Sequence, residues 1–534
     1  MSKKTARRRR ASVVGETLKR GDQFKYRLIL EGVGVGLAAG LVVSLFRLCL
    51  SKVEEMRSLY IHAAGQKVIV ALLGIGLLVF LAACIVLILK REPLSSGSGI
   101  PQVKAELKGE INANWLQIIL AKFIGGIVAL GAGLSLGREG PSIQLGAMVG
   151  KGFSRLSNRL RTEEKLLITC GSGAGLAAAF GAPLAGVVFA LEELHKNFSQ
   201  EILLSTMASA ITADCIGSYI FGLEPVFDFG TSVDEGLPLG RIWMVLLLGI
   251  LMGAFGAFYN KTLDYTQDVF GKLKTTGQKM IIPFTAIVIL AATLPEALGS
   301  GHKLIEETGE GFFDLKMLMI LLVIKFIFSA MSFGTGAPGG IFLPLLVLGG
   351  LAGGLFTSVV SPLAGLEENY IQYFVILGMT GYFSAIVRAP ITGIILISEM
   401  TGTFSNLLSL SAVALVSYMT ADAFKAKPVY EQLMERMLEG GKLRKPRRTN
   451  KVLVEGQVHL GSYMEGKPLS EIHLPGGCLV VSIQRDAKEI VPNGQVILQA
   501  GDKMILLCDE YMAPELKQEI EEKCQTLDLE RLSR

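Results

Sequence analysis

The chain has 534 residues, of which 50% are apolar and only 19% charged, with a mean hydropathy of +0.48. So apolar a composition excludes a soluble enzyme of this size and points to a protein that crosses a bilayer many times. The formal net charge of +5 draws on basic clusters near both ends; beside this much apolar sequence they speak for membrane topology and lipid headgroups, not nucleic acid.

Residues 1–24 form a basic tail with Lys3, Lys4 and Arg7 to Arg10. No apolar run or small-residue cleavage site follows before residue 28, so a cleaved signal peptide is not expected, and the positive-inside rule keeps this tail in the cytoplasm. The stretch Val68 to Leu89 has 22 residues without a charge, a helix roughly 33 Å long at ~1.5 Å per residue, enough to cross a core of about 30 Å. Further apolar runs lie near 28–50, 115–135, 203–222, 242–259, 281–298, 316–333, 341–360, 371–387 and 407–421. Segments 142–150, 183–191 and 390–398 are apolar but too short to span alone. The basic run KLRKPRRTNK at 442–451 places the C-terminus in the cytoplasm as well, which demands an even number of crossings. The expected organisation is a basic tail (1–24), a first membrane repeat (25–225), a second (226–440), a basic linker (441–450) and a small cytoplasmic domain (451–534). Seven scattered cysteines and five histidines show no ligand spacing, so neither a disulfide framework, a metal site nor another cofactor is expected.

The division into repeats comes from comparing the chain with itself. At an offset of 203, Gly131, Gly133, Gly137, Pro141, Gly146 and Gly150 fall on Gly334, Gly336, Gly340, Pro344, Gly349 and Gly353. At an offset of 207, Ala182, Pro183, Gly186 and Glu192 fall on Ala389, Pro390, Gly393 and Glu399. Membrane repeats broken by Gly and Pro at corresponding places indicate interrupted helices meeting near the midplane, where a transported ion is held. If each half crosses an odd number of times, the halves are inverted. Gly32, Gly36 and Gly40, like Gly249 and Gly253, read instead as close helix packing.

Three loops share one layout, glycine before proline: GSGIP (97–101), GREGP (137–141) and GGIFLP (339–344). Proline suits the first helical turn, and glycine lets the backbone approach a ligand. Each loop therefore reads as a helix N-terminus whose free N–H groups and dipole favour an anion. Partial charges bind weakly enough to let the ion leave. Ser98 offers a hydroxyl, as a ligand or as a helix cap. The pattern G-x-G-x-x-G in GTGAPG (334–339) is rejected as a nucleotide site, since no β-α-β unit surrounds it.

Glu139 stands at one of these N-termini. Deprotonated, its carboxylate competes with an anion for the site; protonated, it loses that attraction and swings away, which links proton uptake to anion passage. An ion pair with Arg138 is the competing use. The repeat counterpart of Glu139 is Phe342, so the gate exists on one side only. Glu192 and Glu193 lie about 100° apart on a helix and should differ in role. Glu192 has the mate Glu399 and suits bonding to a backbone or to the other half; Glu193 faces Met400 in the alignment and is the better inner proton station, against the alternative of a solvated helix end.

Together GSGIPQ, GREGP and GGIFLP resemble the CLC chloride channels and proton/chloride exchangers, over roughly residues 25–435. The resemblance implies an all-α polytopic inverted repeat of broken and re-entrant helices, assembled as a homodimer with one anion pathway per subunit. By it Ser98 and Tyr430 coordinate the central chloride through side chains, and Ile341 and Phe342 through backbone N–H groups. Glu139 matches the external gate and Glu193 the internal proton glutamate. The selectivity filter comprises Gly97, Ser98, Gly99, Ile100 and Pro101; Gly137, Arg138, Glu139, Gly140 and Pro141; and Gly340, Ile341, Phe342, Leu343 and Pro344. A carboxylate at position 193 implies an antiporter over a passive channel, serine at 98 implies chloride over nitrate, and the intact GSGIP argues against the fluoride-exporting branch. Read without the family, Tyr430 is an ordinary interfacial tyrosine.

From Lys451 the composition shifts to short alternating runs, KVLVEGQVHL, GCLVVSIQRD, QVILQA and KMILLCDE, separated by turn residues. They imply one small α/β domain, similar to the TrkA-C regulatory domain and unlike the paired CBS domains on other CLC proteins. A small-ligand sensor and a dimerisation module both fit. The expectation is thus a proton-coupled chloride antiporter and no enzyme, with chloride and protons as substrates. A passive channel is the near alternative and a membrane receptor signalling through its tail the distant one; neither G-x-S-x-G nor a midplane histidine supports a hydrolase.

Overall fold

The computed structural model describes residues 3–64, 68–159, 161–196, 198–227, 229, 237–364, 370–439, 451–472, 474, 478–485, 488–509 and 512–525. The basic linker 441–450 lies outside the described residues. Two compact units separate, Met1–Leu107 with Ala113–Gly440, and Lys108–Asn112 with Gly441–Arg534.

In the first unit, the first repeat carries α1 (Lys3–Ala64), α2 (Val68–Arg91), α3 (Ile100–Lys108), α4 (Trp115–Gly131), α5 (Glu139–Leu156), α6 (Arg161–Phe180), α7 (Pro183–Phe189) and α8 (Gln200–Phe221). The second carries α9 (Ile242–Gly271), α10 (Thr276–Thr293), α11 (His302–Gly309), α12 (Leu315–Gly334), α13 (Phe342–Ala364), α14 (Ile371–Val387), α15 (Pro390–Thr401), α16 (Leu407–Ala423) and α17 (Val429–Glu439). Among the described residues, seven helices are long and apolar enough to cross a membrane. The apolar stretch of α13 is 78% buried and that of α2 only 11%, so α13 lies inside the unit and α2 on its outer surface. Because α1 begins at Lys3, the basic segment is helical and runs on into the first span.

Local chemistry sets the helix ends. Asn114 Oδ1 accepts from the N–H groups of Leu116 and Gln117 to start α4, and Asp314 Oδ1 accepts from Met317 to start α12. Thr275 and Gln278 form a capping box on α10. Helix α4 stops at Gly131, short of the apolar run's end at 135, because Gly133 adopts φ +100. Proline opens α7 and α15.

The repeats pack alike. A Cβ on Gly146 would stand 2.1 Å from the Gly171 carbonyl oxygen, and one on its mate Gly349 would stand 2.5 Å from that of Gly378. Only glycine lets α5 meet α6, and α13 meet α14, backbone to backbone.

In the second unit, β1 (Lys451–Gln457), β2 (Leu479–Arg485), β3 (Lys488–Ile490) and β4 (Lys503–Asp509) form an antiparallel sheet in the order β1-β4-β2-β3, followed by α18 (Ala513–Gln525). Val454, Val480, Ile483, Met504 and Leu506 fill its core with Leu516 and Ile520 of α18. The run QVILQA, expected as a strand, is not one. Ile497 makes only an isolated bridge to Pro468, flanked by bonds from Leu469 N–H to Val496 O at 2.9 Å and from Leu498 N–H to Lys467 O at 3.1 Å.

Candidate functional site

The two halves meet along glycine. Gly137 N–H donates to Gly340 O at 2.7 Å and Gly340 N–H returns the bond to Gly137 O at 2.8 Å. The first loop is laced to the third: Gly97 N–H donates to Gly336 O, and Gly339 N–H to Gly97 O, each at 3.0 Å. A methyl on Gly140 would lie 2.4 Å from Ser98 Oγ, which ties the second loop to the first. The three proline-bearing loops therefore converge, and each opens a helix: α3 at Ile100, α5 at Glu139 and α13 at Phe342.

Glu139 is fully buried. Its Oε2 accepts from the N–H of Leu343 at 3.4 Å, across the half-to-half junction, while Oε1 has no partner. The carboxylate thus occupies the positive pole of α13. Ile341 and Phe342, expected as backbone donors, are buried at that same helix start; the donor that the carboxylate meets is the next residue.

Two more polar atoms are orphaned nearby. Ser98 Oγ and Tyr430 Oη are buried without hydrogen-bond partners. The Tyr430 ring stands edge-on to Phe189 at 6.5 Å, and Phe189 stands 6.3 Å from Phe342, which also meets Phe180 at 5.7 Å and Phe383 at 4.7 Å. Buried hydroxyls in an apolar frame cost free energy unless something accepts from them. An anion does, and the backbone N–H groups at the start of α13 can only donate.

Glu192 and Glu193 divide as their repeat partners differ. Glu192 accepts from the Thr392 N–H at 2.8 Å, Thr392 Oγ1 at 2.7 Å and the Ile391 N–H at 3.3 Å. Glu399 answers from the other half, accepting from Leu184 at 3.0 Å and Ala185 at 2.8 Å. Each glutamate satisfies the first turn of its partner's helix, α15 or α7. Glu193 instead is buried against Lys104, Oε1 to Nζ 2.6 Å. The 100° separation expected of an α-helix does not apply, because Ala190–His195 is a π-helix, a distortion frequent at functional sites.

Several participants escaped the sequence reading. Lys122, buried, donates from Nζ to the carbonyls of Ser95 at 3.0 Å and Gly97 at 2.6 Å, pinning the first loop. Lys325 does the same in the second half, donating to Ala297 at 3.0 Å and Gly299 at 2.8 Å. It secures a fourth loop, Gly299-Ser300-Gly301, whose glycines have φ +69 and +87 where Gly97 and Gly99 have +59 and +93. The signal was present: Lys122 and Lys325 stand 203 apart, and the two Gly-Ser-Gly triplets 202 apart.

Residues 80–422 match the voltage gated chloride channel family, and the chain belongs to that family. Residues 453–520 match the TrkA-C domain. Among its relatives is the H(+)/Cl(-) exchange transporter ClcA of Vibrio parahaemolyticus, 33% identical over 445 residues that cover 81% of this chain and 94% of that protein. Of solved structures, a slow cyanobacterial Cl-/H+ antiporter superposes with a TM-score of 0.74 at 29% identity, covering 78% of this chain and 99% of that one. A CLC-type fluoride/proton antiporter superposes with a TM-score of 0.62 at 25% identity, covering 76% and 97%.

Proposed function

We propose that the chain is a proton-coupled chloride antiporter, moving Cl− against H+ through one pathway in each subunit of a homodimer, with both termini cytoplasmic. The observation that carries the reading is the Glu139 carboxylate at the N-terminus of α13, accepting from Leu343. An acid and an anion contend for one set of donors, so a proton on the acid and an anion on the helix favour each other. Ser98, Tyr430 and the N–H groups of Ile341 and Phe342 hold the central chloride, Glu139 is the outer gate and Glu193 the inner proton station. The relatives' printed activities, H(+)/Cl(-) exchange and Cl-/H+ antiport, support this choice. The joined helices α7 and α15 expose Leu184 and Ile391, and we assign this face to the second subunit. The TrkA-C domain acts in this reading as a regulatory module, a ligand sensor or a dimerisation element. The runner-up is a passive chloride channel. Purified protein in liposomes, with chloride and proton movement recorded together, separates the two: a chloride gradient must drive protons uphill, and chloride flux without proton movement makes the protein a channel.

A further inference from the structure

Glu193 is paired inside the protein, and its partner is unusual. Lys104 and Glu193 have 1% and 4% of their side chains exposed, and burying both charges is worthwhile only when the geometry is good. The two come from different elements, Lys104 from α3 and Glu193 from the π-helix after α7. Ser98 lies in the loop that leads into α3, two residues before its first residue Ile100, and Lys104 lies four residues beyond Ile100, about 6 Å along the axis.

The other charged groups around Glu193 are accounted for. Lys196, beyond the π turn, and Glu431, at the start of α17, both act on it electrostatically but pair with one another, and the Lys196 side chain is half exposed. Glu192 turns to Ile391 and Thr392, and His195 Nδ1 meets Thr169 Oγ1. Lys104 is left as the buried counter-charge.

We propose that Lys104 is a positioning residue for the inner proton station: it holds the Glu193 carboxylate charged and aimed at α3, and so sets the pH at which Glu193 takes a proton. The inference rests on the reading of Glu193 given above. When the proton arrives, Lys104 becomes an uncompensated buried cation, and an anion at Ser98, in the loop that opens the same helix, offsets it. Proton uptake and chloride occupancy thereby reinforce each other through one lysine.

The test uses full-length protein in liposomes, with chloride and proton fluxes recorded over a series of pH values on the inner side. Lys104→Met should move the half-maximal pH of proton flux, and of the chloride flux coupled to it, upward by about 1–3 units, the effect of removing an opposite charge within ~4–6 Å. Lys104→Arg should restore the wild-type profile. In a Glu193→Gln background, Lys104→Met should leave the pH profile of chloride flux unchanged, since the group it acts through is gone. Should Lys104→Met fail to fold, Lys104→Gln must show the same upward shift. An unshifted profile in a coupled Lys104→Met or Lys104→Gln protein overturns the inference, as does a shift that persists without Glu193. A wild-type protein that moves no protons at any pH removes the antiporter reading itself, a result distinct from the first two.

Discussion

Replacing Gly140 with alanine probes the junction where the first two loops touch. The backbone there is helical and accepts alanine, but the new Cβ would stand 2.4 Å from Ser98 Oγ and 2.5 Å from the Ser98 carbonyl oxygen, where ordinary contact begins at 3.4 Å. Ser98 or the start of α5 must withdraw by about 0.9 Å, and overpacking of this kind costs ~1–3 kcal/mol. The first loop has little room to yield: Lys122 Nζ holds Gly97 O at 2.6 Å, and Gly97 is bonded twice to the third loop. The cost therefore falls on the Ser98 hydroxyl, and at ~1.4 kcal/mol per tenfold change chloride affinity should drop about 5- to 150-fold. Calorimetric titration of chloride into purified protein measures it. Gly76→Ala is the control, since nothing lies within 4 Å of a Cβ there. A folded Gly140→Ala protein that binds chloride like the wild type would refute the convergence of these loops on one anion.

Under the gating role proposed for Glu139, Glu139→Gln should leave chloride flux without proton coupling or pH dependence; proton flux that survives this change sinks that role. Glu192→Ala deletes the acceptor of three hydrogen bonds, and because bonds to a charged group are worth ~1.5–3 kcal/mol each but do not add fully, a loss of about 3 kcal/mol or more is expected, read as a lower thermal midpoint. Glu399→Ala should behave likewise, and no drop in either would mean the clasp is idle. In the tail domain, burial pushes the Asp502 carboxyl up, but the Arg485 guanidinium and the Gln499 N–H outweigh it and hold the group below its ordinary 3.8. A carboxyl depressed in the fold lends stability that is fully present above 3.8 and disappears as pH falls through its folded value. Amide exchange at Gln499 should stay slow from neutral pH to that point and quicken only below it, and Asp502→Asn should remove this acid step.

What the sequence disclosed followed from rigid and flexible residues in fixed order. Gly137 and Gly340, with a proline four residues beyond each, mark helix starts because a side chain there would crowd the opposite loop or the Glu139 carboxylate, and the unequal repeat partners of Glu192 and Glu193 foretold their unequal roles. Lys122 and Lys325 match across the repeats, but no lysine's sequence neighbourhood names its acceptor, which kept the bonds of Lys104, Lys122 and Lys325 hidden. Their partners are 89, 27 and 25, and 28 and 26 residues away. The fourth loop was missed because no proline follows it, although its Gly-Ser-Gly repeats the first. In the tail, QVILQA alternates like a strand but pairs only through one isolated bridge, Ile497 to Pro468, which local alternation does not foretell.

The seam between the halves also limits how the molecule can work. Among the described residues, five buried backbone bonds cross it, two between Gly137 and Gly340 and one each from Gly97 to Gly336, from Gly339 to Gly97 and from Gly299 to Gly133. Tilting one half as a rigid block would tear all five at once and strand their donors away from water, at ~1–3 kcal/mol apiece. A rigid-body tilt of one half is therefore costly. In the transport reading proposed above, the moving parts are side chains, and rotamer flips and proton hops would bound throughput in place of the slower clockwork of whole domains.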